Sequence, residues 1–89
     1  MELADAIYEI EDFDRRVMAP LFLLYLRLKR RADGRLREKL DRLMDDAIMA
    51  RRHPCNVLRE MCHIAHRIGV DAKICREPPE HCKSREHGL

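Results

Sequence analysis

Apolar residues recur at intervals of three and four along most of this chain, and the recurrence is interrupted at Pro20, Gly34, His53 with Pro54, and Gly69. Such spacing belongs to amphipathic helices that each lay one stripe on a shared core. With 89 residues there is room for a single domain. Only four aromatics are present, all in the first 25 residues, so Leu, Ile, Met and Ala must fill that core. Abundant Leu, Ala, Arg and Glu favour helix over sheet.

The first stripe, Leu3, Ala6, Ile7, Ile10, Phe13 and Val17, predicts a helix over about 2–18. Pro20 then either opens a second helix in its first turn or kinks one long helix, because an interior proline removes a hydrogen bond and clashes with the preceding turn. Residues 21–28 are apolar around nearly the whole circumference. A helix of that kind needs cover on all sides. It is therefore either the centre of the core or a surface for a second copy or a protein partner, with Leu21, Phe22, Leu24, Tyr25 and Leu28 as the candidate contact residues.

Gly34 reads as the residue that ends this helix. A third helix over 35–52 carries Leu36, Leu40, Leu43, Ala47 and Ala50, widened by Met44 and Ile48, with Arg37–Asp41, Glu38–Arg42 and Arg42–Asp46 as charge pairs on its outer side. Pro54 can open a fourth helix whose apolar face is Val57, Leu58, Met61, Ile64, Ala65 and Ile68, closed by Gly69. Beyond it, Val70, Ala72 and Ile74 suit a short strand or a loose helical turn. Pro78 and Pro79 interrupt any longer helix, and residues 83–89 read as a tail. The expected fold is all-α: a bundle of four or five antiparallel, up-and-down helices with an irregular C-terminal segment, comprising a helical core over 1–52 and a Cys/His-rich helix and return segment over 53–82.

The net charge of +2 does not itself imply a polyanion partner. Its distribution is uneven: residues 2–14 hold six acids and no base, whereas residues 27–39 hold seven bases against two acids. The plain reading is two solvated faces that pair with each other. Contact between 27–39 and nucleic-acid phosphates is a lesser possibility, since the acids offset the basic run and no base-reading helix stands out.

All four cysteines and all five histidines fall between residues 53 and 87, and the cysteines read C-x6-C-x12-C-x6-C at 55, 62, 75 and 82. On a helical wheel Cys55, Cys62 and His66 share a stripe beside the apolar face. Cys62 and His66, four apart, can give two ligands to one ion, and the return segment supplies Cys75 and Cys82. Thiolate and imidazole in that combination suit a closed zinc site, with Cys55 and His81 as secondary candidates. A second reading is inert thiols, since free Cys packs as a small hydrophobe. A third is redox chemistry, through an iron–sulfur cluster or through nested disulfides, 55 with 82 and 62 with 75, that staple a helical hairpin. Against these stand the absence of closely spaced cysteine pairs and the double proline.

No phosphate loop, nucleophile elbow or substrate cleft is evident, so no enzymatic activity is expected. The N-terminus is acidic where a secretory signal would be basic, and no apolar run approaches a membrane span. Together these features predict a cytoplasmic, non-enzymatic regulatory or adaptor protein, a homodimer or partner of another protein, with a C-terminal zinc site. The alternatives are a redox or iron–sulfur protein, a metal-free interaction module or a small nucleic-acid-binding regulator.

Overall fold

The computed structural model describes residues 14–82, and every regular element among them is helical. A π-helical turn, Asp14–Met18, runs into α1 (Ala19–Arg31). Then come α2 (Gly34–Ile48), α3 (Pro54–Ile68) and the single-turn α4 (Lys73–Arg76). Helices α1, α2 and α3 pack against one another, and α4 and the π-turn lie on α3. The fold is the expected small all-α bundle. Most of the predicted first helix lies outside the described residues, as does the tail.

Pro20 neither breaks nor starts the chain's helical path. Met18 keeps right-handed helical dihedrals before α1, and the wider π-turn precedes the proline in its first turn. Widened turns relieve the clash of a proline ring with the carbonyl behind it. Beyond the proline, Leu21, Leu24 and Leu28 are 0%, 2% and 0% exposed, while Phe22, Leu23 and Leu26 are 44%, 62% and 41% exposed. The apolar run is thus core on one side and bare on the other.

Gly34 differs from its expected role. The α1–α2 link is Ala32 and Asp33, and Gly34 is the first residue of α2. Asp33 caps α2, its carboxylate accepting the Leu36 N–H at 2.8 Å, which satisfies one of the amides left unpaired at a helix start. Arg37 closes the other side of the link by donating from Nε to the Lys29 carbonyl at 3.1 Å.

In α2 the four-three spacing holds for Leu40, Leu43, Met44 and Ala47, which are buried. The helix ends at Ile48, earlier than the pattern suggests, and Ile48 and Ala50 are exposed. Ala50 takes φ 58°, and the Arg51 N–H donates to the Asp46 carbonyl at 2.8 Å. This is the left-handed helix stop usually given to glycine. The outer charges also choose other partners. Asp41 reaches across to α1, where Lys29 Nζ lies at 2.9 Å and the Tyr25 hydroxyl donates to it; Asp45 and Asp46 hold Arg51. Packed helices offer cross-helix partners that a pattern read along one helix does not show.

The Tyr25 hydrogen bond, then that of Lys29, holds the Asp41 carboxyl below its ordinary 3.8. Arg52 lies fork-on against Glu60, with two N···O distances of 3.0 Å, tying the α2–α3 link to α3, and its hydrogen bonds hold Glu60 below 4.5. Depressed carboxylates stabilise the fold above their unfolded values, and that contribution is lost as pH falls through the lower folded values.

His53 and Pro54 open α3 as expected: proline occupies the first turn, and His53 Nδ1 accepts the Cys55 N–H at 3.1 Å. Val57, Leu58, Met61, Ile64 and Ala65 are buried. Gly69, at φ 76°, closes the helix while the Val70 N–H returns to the Ala65 carbonyl at 2.8 Å. The ambiguous stretch after it forms a helical turn.

The two faces of α1 predict opposite costs. Leu24→Ala should lower stability by about 2–5 kcal/mol and Leu23→Ala by less than about 0.5 kcal/mol, measured by denaturant unfolding of the oxidised chain. Equal losses would place both leucines in one environment and contradict the packing.

Candidate functional site

The cysteines form two disulfides. Cys55 is bonded to Cys82 and Cys62 to Cys75, with Cα–Cα distances of 5.2 and 5.6 Å. Both lie in the ordinary range for such bridges. The arrangement follows from the spacing. Cys55 and Cys62 are seven apart on α3, hence two turns and about 10 Å along one stripe. After Gly69 the chain reverses. Its short α4 presents Cys75 to the nearer cysteine, and a turn after Pro79, in which the Cys82 N–H donates to the Pro79 carbonyl at 2.9 Å, presents Cys82 to the farther one. The double proline, an obstacle to a regular hairpin, lies between the two bridges on a return path that is not a continuous helix.

This corrects the metal-site expectation. Zinc and iron–sulfur clusters need thiolates, and the sulfurs of Cys62, Cys75, Cys82 and Cys55 are covalently engaged. The remaining proposed ligands do not replace them: His66 and His81 are exposed. Among the described residues no group of three or more His, Cys, Asp or Glu side chains could hold a metal ion. The zinc-site function and both metal cofactors therefore fall. So does the reading of inert thiols, since none of the four is free. The crevice between α3 and the return segment has a volume of about 90 Å³ and is lined by the four cysteines with Leu58, Ile74 and Pro78 among others.

The bridges differ in setting. Cys55 and Cys82 are buried in the core, whereas Cys62 and Cys75 are half-buried at its edge. Together they fasten a segment whose helical stretches, 73–76 and 80–82 among the described residues, are short, and of which only Ala72 and Cys82 are fully buried while Val70 and Ile74 pack partly against the core.

Of the residues proposed for partner contact, Leu21, Leu24 and Leu28 belong to the core and are unavailable. Tyr25 is half-buried against α2 and packs a tilted ring 5.7 Å from Phe22. Phe22 is exposed and is joined by Leu23 and Leu26, which the sequence reading missed. The signal was present in the spacing. At 100° per residue, Ala19, Leu23, Leu26 and Arg30 share the face opposite Leu21, Leu24 and Leu28. An all-round apolar helix does not say which of its faces the core takes.

At the C-terminal end of that face the charge is basic. Arg27 donates to the Asp71 carbonyl at 3.1 Å and Arg31 to the Gly69 carbonyl at 3.4 Å. Arg30 and Arg35 are exposed, and among the described residues none of these four arginines has a carboxylate partner. No described helix is long and apolar enough to cross a membrane. Comparison with protein-family models, curated proteins and solved structures finds no match to this chain.

Each bridge closes a loop, of 13 residues for Cys62–Cys75 and 27 for Cys55–Cys82. Closing loops of this size stabilises by about 3 kcal/mol in the chain-entropy account. Replacing Cys62 and Cys75 together by Ser should therefore cost about 3 kcal/mol in denaturant unfolding. A loss below about 0.5 kcal/mol would show that the bridge does not hold the segment down.

Proposed function

We propose that this chain is a non-enzymatic, disulfide-stapled helical module that works by docking the outer face of α1 onto a helical protein surface. The observation that carries this reading is the exposure of Phe22, Leu23 and Leu26 as one contiguous face. The helix beneath is fixed by burial of Leu21, Leu24 and Leu28 on its other side. Scattered exposed apolar residues are ordinary, whereas a contiguous patch on a rigid element is a feature of interfaces.

The bridges support the module part of the reading. They brace α3, against which α1 packs, so the face is presented by a scaffold that does not depend on its partner for shape. With all four thiols oxidised, a cysteine nucleophile paired with His66 or His81 is not at hand, which favours binding over catalysis. Disulfides persist in oxidising compartments, and we place the working site of the protein in one, in place of the cytoplasm expected from its N-terminal sequence.

The purified, oxidised chain should associate reversibly with rising concentration in sedimentation equilibrium. Leu23→Arg combined with Leu26→Arg should abolish that association without changing helicity or exposing a thiol. A wild-type chain that stays monomeric throughout would exclude a second copy as the partner, and association unchanged by the double substitution would remove α1 as the docking face.

A further inference from the structure

The basic residues at the end of α1 turn to different neighbours. Lys29 faces α2, where the Asp41 carboxylate lies 2.9 Å from its Nζ and the Tyr25 hydroxyl 3.1 Å away. Arg27, Arg30 and Arg31 are three and four apart on one side of the last turn. With Gly69, Val70 and Asp71 of the link after α3 they line a recess of about 310 Å³. Lys29 is given a carboxylate there; the three arginines are not.

Two of the arginines are fixed in position. Arg27 donates to the Asp71 carbonyl at 3.1 Å and Arg31 to the Gly69 carbonyl at 3.4 Å. Each contact uses one of the five N–H donors of a guanidinium. Arg30 makes no hydrogen bond or ion pair among the described residues. Latching the link to α1 therefore accounts for Arg27 and Arg31 but not for Arg30, and it leaves most of the donors unused. The one carboxylate in the lining, that of Asp71, has Arg76 Nε at 3.4 Å. The carbonyl ends of α1 and α3 contribute about half a negative charge each, less than three guanidiniums offset.

We infer that this recess binds a tetrahedral oxyanion, the phosphate or sulfate group of a small monoester, held by Arg27, Arg30 and Arg31. Arginine forks meet such groups two oxygens at a time, and contacts of this kind are stronger when the forks are already held in place. The volume lies at the small end of ligand pockets, which suits the anion and a short carrier. The recess does not depend on the docking face of α1, since Phe22, Leu23 and Leu26 do not line it.

The test uses the full, oxidised chain and follows arginine Nε–Hε resonances by NMR. Glucose 6-phosphate, glucose 6-sulfate and glucose are titrated separately, with ionic strength held constant by potassium chloride. The two esters should produce saturable one-to-one shifts, and glucose none. Arg30→Gln should weaken ester binding about fivefold, with helicity unchanged and no free thiol. Arg42→Gln, an exposed arginine of α2 outside the lining, should leave it unchanged. Asp71→Asn removes the like charge and should tighten binding, a gain that a damaged fold would not give. Phosphate and sulfate separate by pH. The phosphate ester gains its second charge near pH 6, so its binding should strengthen from pH 5 to 7, whereas that of the sulfate ester stays level. Saturable binding of either ester with these variant effects supports the site, and the tighter ester identifies the source. Shifts that never saturate, or equal losses in Arg30→Gln and Arg42→Gln, would reduce the recess to a diffuse surface charge and overturn the site.

Discussion

The two nested disulfides set the terms on which this chain can fold. A domain of this size buries a modest share of its surface and is marginal without help. Here the help is covalent and is concentrated where packing is thinnest. The return segment after Gly69 has two short helical stretches, 73–76 and 80–82, with two prolines between them, and it stays on α3 because Cys75 and Cys82 are bonded to it. Since α3 packs against α1, α2, α4 and the π-turn, a brace along α3 stiffens the whole arrangement.

The second constraint is the double character of α1. Its inner leucines complete the core and its outer leucines do not. Polar ties hold it in place from both flanks: Tyr25 and Lys29 meet Asp41 on α2, and Arg27 and Arg31 meet carbonyls of the link after α3. A helix fixed on three sides and apolar on the fourth is a rigid presentation of a hydrophobic surface.

Much of the architecture was legible from spacing. The stripes of α2 and α3, the opening of α3 at Pro54 and its end at Gly69 all follow from local rules that tertiary packing does not disturb. Boundaries were harder where a residue plays a less usual part: Ala50 stops a helix in a conformation glycine favours, and Asp33 takes the capping role that left Gly34 inside α2. The site was misread for a different reason. Two cysteines on one helix stripe facing two on a return segment suit a metal or two bridges equally well on a wheel, and the double proline weighed against the bridges because a regular hairpin was assumed. The equal six-residue gaps, which allow two parallel bridges across a reversal, were the better signal. Leu23 and Leu26 went unrecognised because a helix apolar on every side conceals its own orientation.

The pairing of the cysteines is the centre of this account, and mass spectrometry of peptides from non-reduced protein, alkylated before digestion, tests it most directly. The account predicts Cys55 linked to Cys82, Cys62 linked to Cys75, and no alkylated cysteine. Free, alkylated cysteines, or the linkages Cys55–Cys62 and Cys75–Cys82, would contradict it.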